Sequence, residues 1–123
     1  MDKFQAAFEV LYLLGIIDHQ LHSNEVDVIN RYIHDNLGQG SYDTHATMNS
    51  LNIMSYDGRI QELGYVARFL NSVCNAQEKL HILDFALEVI LADVRLTDEE
   101  SAAFIAIGNV WNIDVRKFTN DRL

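Results

Sequence analysis

Apolar residues recur every three or four positions along most of the chain, a spacing typical of amphipathic α-helices. The first such segment covers Lys3–Ile17, and the next begins at the helix-capping residue Ser23 and ends before Gly38. Two later helices are predicted after Asn75 and Thr97, where a polar cap is followed three residues on by Glu. A last short helix is predicted after a capping aspartate at position 114.

Residues 39–57 carry the weakest helical pattern, because turn-forming residues interrupt the apolar positions. The apolar residues between positions 48 and 54 nevertheless need burial, so we predict a short helix capped by Asp43 or Thr44. Asp57-Gly58 is predicted to open the following helix. A hairpin turn is the alternative for this dipeptide, and it is disfavoured because no alternating strands flank it.

The segment from Ala76 to about Ala92 is apolar on nearly all sides, which is typical of a buried helix. We therefore expect it to be the central element of the fold. The chain contains no proline, the residue that helix interiors tolerate worst. Together these patterns predict an all-α fold in one domain, residues 1–123: a compact bundle of about seven short helices around a buried central helix.

Two stretches of the chain repeat one phrase at an offset of 75 residues. In each, an apolar helix runs into an aspartate (Asp18, Asp93), a leucine follows three residues later, and a glutamate (Glu25, Glu100) lies in the first turn of the next helix. This repetition predicts two related helix–loop–helix units, spanning approximately residues 3–37 and 76–111.

The two loop aspartates follow helix C-termini, where a negative charge opposes the helix dipole and needs compensation. Backbone N–H groups of the loops are one solution. The other is a divalent cation, Ca²⁺, Mg²⁺ or Zn²⁺, held by Asp18, Glu25, Asp93 and Glu100. A second interpretation of Glu25 and Glu100 is that they are first-turn acids, which favour the start of a helix. The spacing is too short for a 12-residue EF-hand loop.

The net charge of −9 argues against a nucleic-acid backbone or an anionic membrane as the partner, and it is compatible with cations or a basic protein. Cys74 is the only cysteine, so an internal disulfide is excluded, and its apolar context predicts a buried thiol. The longest early apolar run, Val10–Ile17, is far shorter than the ~18 residues that span a bilayer. The expected location is the cytoplasm.

The stretches Ile17–Glu25 and Ala92–Glu100 resemble the helix–loop–helix signature of the tellurite-resistance TerB-like family, and the closing Trp111–Asp114 is similar to the family's end. The resemblance implies a stress-response domain of helical fold with a metal-binding acidic cluster. One feature departs from the family pattern. The glycine that follows each aspartate is replaced by His19 and Val94, and a β-branched residue disfavours φ > 0, so we expect an altered loop backbone.

Three functions follow from these observations. The first is a non-enzymatic TerB-like binding or scaffold module with a divalent cation at its acidic loops. The alternative is a pure protein–protein interaction module with structural loops, which predicts an exposed apolar patch at Met48–Met54 or Phe118. The third, a hydrolase, requires Asp18, His22 and Asp93 to converge in one cleft. We expect a protein partner, a homodimer being one option, and neither nucleic acid nor membrane insertion.

Overall fold

The computed structural model describes residues 1–17, 21–38, 40, 42–90 and 97–122, and within them the chain forms seven α-helices and no strand. The helices are α1 (Lys3–Ile16), α2 (Ser23–Asn36), α3 (Thr44–Asn52), α4 (Tyr56–Val73), α5 (Ala76–Phe85), α6 (Asp98–Trp111) and α7 (Val115–Arg122), with a π-helical turn (Ala86–Ile90) directly after α5. The all-α prediction is confirmed. No helix in these ranges combines the length and the apolar character needed to cross a bilayer.

Most helices begin at a polar side chain that accepts a backbone N–H of the first turn. Asp43 accepts from Ala46 at 3.0 Å, which confirms the predicted short helix and selects Asp43 as its cap. The hairpin alternative at positions 57 and 58 is wrong, because both residues lie in the first turn of α4. Ser23 is not the cap of α2: it is already helical, and the N-cap is His22, one residue earlier.

The helix at the centre of the bundle is α1. It contacts α2, α3, α4, α6 and the π-helical turn, and every residue of Ala6–Ile16 is buried. Its sequence explains this placement, since Glu9 is the only charged residue in that run and apolar side chains face every direction around the helix.

The expectation that residues 76–92 form the central helix is therefore wrong. Regular α-helix ends at Phe85, and α5 buries only Ile82 and Leu83 fully, while Leu80 is 37% exposed. A helix that is apolar on all sides can be buried on all sides, but whether it is buried depends on how many other helices pack against it. Here those neighbours surround α1. Residues 91–96, where this predicted helix ends, lie outside the described ranges.

Arg59 of α4 joins the C-terminal ends of α1 and α3. Its guanidinium donates to the carbonyl oxygens of Ile16 (3.3 Å), Leu51 (3.2 Å) and Asn52 (3.0 Å). The last carbonyls of a helix lack intrahelical partners and carry partial negative charge, so a planar cation with several donors suits this position.

Replacing Arg59 by lysine is expected to lower the free energy of unfolding by about 1 kcal/mol, because one ammonium group cannot reach three carbonyls in this fork geometry. Urea denaturation measures the effect. Arg68→Lys on the same helix is the matched control, since Arg68 is exposed, and it should change stability by less than about 0.5 kcal/mol. Equal effects of the two substitutions would show that the fork does not stabilise the helix ends.

Candidate functional site

The two glutamates of the repeated phrase occupy equivalent positions. Each is the third residue of its helix and accepts the backbone N–H of the N-cap residue: Glu25 Oε1 from His22 at 3.0 Å, and Glu100 Oε1 from Thr97 at 2.9 Å. The Thr97 hydroxyl returns a second bond, accepting the Glu100 N–H at 3.1 Å, which completes a capping box. The capping role considered for the glutamates is thus present in both copies.

The copies differ in burial. Glu100 is 6% exposed, whereas Glu25 is only partly buried. A carboxylate has two oxygens, and the cap uses Oε1 in each case, so Oε2 is the atom through which either glutamate would reach a cation. The predicted ligands Asp18 and Asp93 lie outside the described residues, and the four-carboxylate site therefore stays a prediction.

The convergence of Asp18, His22 and Asp93 required of a hydrolase likewise involves two residues outside the described ranges. Among the described residues, no group of three His, Cys, Asp or Glu side chains is close enough to hold a metal ion. The histidines within these ranges, His22, His34, His45 and His81, are all exposed, as expected for solvated side chains.

A second acidic site, which the sequence patterns did not predict, lies where α1, α3 and α4 meet. Its cavity has a volume of about 310 Å³. Carboxyl groups from all three helices line it: Glu9 from α1, Asp43 from the cap of α3 and Glu62 from α4. Gln5 and the Thr47 hydroxyl complete part of its polar wall.

Glu9 is the most buried acid of the chain's described part, at 3% exposure. Its Oε2 accepts from the Gln5 side-chain amide at 3.1 Å, while Oε1 is buried without a hydrogen-bond donor. Burial is the main reason that the pKa of Glu9 is raised to about 8. A hydrogen bond with the Glu62 carboxyl raises this pKa further, whereas the hydrogen bond from Gln5 lowers it. At neutral pH the Glu9 carboxyl is therefore largely protonated.

One feature of the sequence could have pointed to this site. Glu9 is a single acid inside an apolar run, a position where a charged residue is rarely buried without a partner. Its partner Glu62 lies on a different helix and has no recognisable spacing relationship to Glu9, so the pairing depends on how α1 and α4 pack.

An apolar groove lies between α4 and α6, with a volume of about 410 Å³. Its rim includes Tyr56 and Ile60, which are 48% and 36% exposed. The prediction of an exposed patch at Phe118 is wrong, because this ring is buried. It packs edge-on against Phe104, with 6.4 Å between the two ring centroids. Within Met48–Met54, Leu51 is buried and both methionines are partly buried, which leaves Ile53 exposed at 87%.

The described residues also settle the state of the lone thiol. Cys74 is buried, as predicted, and burial is the main reason that its pKa is raised. A raised pKa lowers the thiolate fraction at neutral pH and with it the nucleophilicity of the side chain.

The family model described as tellurite resistance protein TerB matches residues 4–123. The search of curated proteins and the search of solved structures give no match.

Proposed function

The chain belongs to the TerB family of tellurite-resistance proteins, and from this premise we propose that it is a non-enzymatic binding or scaffold module of a tellurite-resistance-like stress response. Its function is to hold a divalent cation at the two acidic loops and to present the loaded domain to a protein partner.

The observation that carries the cation proposal is the burial of Glu100, at 6% exposure, directly after the second acidic loop. Removing a carboxylate from water is unfavourable unless its charge is balanced. A cation bound by Asp18, Glu25, Asp93 and Glu100 would supply that balance, and it would also offset the unfavourable charge of an aspartate at a helix C-terminus. An all-carboxylate ligand set favours Ca²⁺ or Mg²⁺ over Zn²⁺.

Glu100→Gln separates the two roles of this residue. Glutamine keeps an oxygen that can accept the Thr97 N–H, so the cap survives, but the charge that attracts a cation is lost. Calorimetric titration with Ca²⁺, Mg²⁺ and Zn²⁺ should show saturable binding of at least one ion to the wild type, weakened about tenfold or more by Glu100→Gln.

The matched control is Glu99→Gln, because Glu99 is an exposed acid in the same helical turn. It should leave the affinity within about twofold, an effect confined to screened surface charge. Wild-type protein that gives no heat with any of the three ions refutes the cation role. Equal weakening by both variants shows that general charge, rather than a site at Glu100, attracts the ion.

The α4–α6 groove supports the alternative of a pure interaction module with structural loops. Its apolar lining and the exposed Tyr56 and Ile60 offer a surface for a protein partner. The calorimetric titration discriminates between the two functions, since the alternative predicts no cation binding to the wild type.

A further inference from the structure

The cavity between α1, α3 and α4 carries an inference of its own. We propose that it binds the ammonium group of an aliphatic amine, held between the carboxylates of Glu9 and Glu62. This site is independent of the cation role proposed above, and it would persist if the loops bound no ion.

The first step of the argument is the unpartnered atom. Glu9 lines the cavity and is only 3% exposed, and its Oε1 accepts no hydrogen bond. Once Glu9 loses its proton, its carboxylate only accepts hydrogen bonds, and the oxygens of the facing Glu62 side chain are acceptors as well. A bound water would donate to one of them and leave both charges unbalanced, whereas a cationic donor satisfies the hydrogen bonds and the charge together.

The second step concerns the kind of cation. No three His, Cys, Asp or Glu side chains of the described residues are close enough to share an ion, which disfavours a metal held by the acids of this cavity alone. An ammonium group has three N–H donors that point in different directions and reach acceptors about 2.8 Å away. Besides Glu9 and Glu62, the cavity offers the hydroxyls of Thr47 and Ser50 as a third acceptor.

The third step concerns the rest of the ligand. Leu51 and Met54 form part of the same cavity wall, and they give a methylene chain an apolar surface to pack against. The volume of about 310 Å³ is at the small end of ligand cavities and suits a short aliphatic amine or one side chain. The net charge of −9 raises the local concentration of any cation near the entrance.

Proton linkage gives the proposal a signature that a surface charge would not show. The titratable groups that face Glu9 are Glu62 from α4, Asp43 at the start of α3 and the amino group of Met1. Because Glu9 is largely protonated at neutral pH, an ammonium group that pairs with its carboxylate must displace that proton. Amine binding should therefore release a proton and tighten as the pH rises from 6 to 8.

The test is a calorimetric titration at pH 7 with two probes, 1,4-diaminobutane and Nα-acetyl-lysine methylamide, repeated in buffers of different ionisation enthalpy to count released protons. Butan-1-ol is the uncharged control. We expect saturable binding of at least one amine, proton release, no binding of the alcohol, and about tenfold or greater weakening by Glu9→Gln. Asp27→Asn, which removes an exposed charge on α2, should leave the affinity unchanged.

Each outcome of the titrations either supports or overturns the proposed amine site. Binding of the diamine alone identifies a free di- or polyamine as the ligand, and binding of the lysine amide identifies the side chain of a protein partner as the source. Binding of neither amine overturns the proposal, as does unchanged binding by Glu9→Gln. If Glu9→Gln alters the fold, judged by its circular dichroism, the half-buried Glu62→Gln takes its place under the same criterion.

Discussion

Replacing Leu11 of α1 by alanine is expected to lower the free energy of unfolding by about 3 to 5 kcal/mol. The side chain is fully buried, and α1 is packed against four other helices and the π-helical turn. Neighbours on so many sides cannot all move into the space that the leucine leaves, so a cavity adds to the lost hydrophobic burial. Urea denaturation at neutral pH measures the difference.

Leu80→Ala is the matched control, because it removes the same atoms from the helix that the apolar pattern had placed at the centre. Leu80 is 37% exposed, and alanine is a good helix former, so the expected loss is about 1 kcal/mol or less. If Leu80→Ala proves as destabilising as Leu11→Ala, α1 does not hold the central position described above.

The contrast between these two helices shows which parts of the fold the sequence could predict. Helix starts were predictable at Asp43, Asn75 and Thr97, because a cap and the backbone N–H that it accepts lie within three residues of one another. The central position of α1 was not, because two segments of similar apolar character compete for it. Packing between distant elements decides that competition, and a hydrophobic pattern carries no information about it.

The same division applies to the acidic sites. The roles of Glu25 and Glu100 in capping could be inferred from spacing, since each bonds its own N-cap residue. The Glu9–Glu62 pair could not, because it forms only when α1 and α4 pack together. Glu9 alone was visible as an acid inside an apolar run, and its position indicated an unusual environment without indicating the partner.

The wild-type protein is expected to lose stability as the pH rises between about 4.5 and 8. The pKa of Glu9 is raised from 4.5 to about 8 in the folded state. Below pH 4.5 the carboxyl is protonated in the folded and in the unfolded state, and the folded protein tolerates burial of the neutral group. Between the two pKa values only the folded state holds the proton, so each step upward in pH favours unfolding, and above 8 the loss is complete. The total is on the order of 5 kcal/mol.

Glu9→Gln should remove this slope and make the protein more stable than wild type at pH 8 by about 4 kcal/mol, while the two differ little at pH 5. Urea denaturation at pH 5, 6, 7 and 8 measures both curves, and Glu99→Gln, an exposed acid on α6, should follow the wild type. The range stops at pH 5 because Glu78, whose pKa is lowered by Lys3, contributes stability that is lost only at more acidic pH.

A parallel decline of wild type and Glu9→Gln with pH would show that another group causes the loss. A flat wild-type curve would show that Glu9 is not buried as an acid. The expected result also tests the proposed amine site. The Glu9 carboxylate that destabilises the protein at pH 8 is the group whose charge an ammonium ion would neutralise. Addition of 1,4-diaminobutane should therefore restore stability to the wild type at pH 8 and leave Glu9→Gln unchanged.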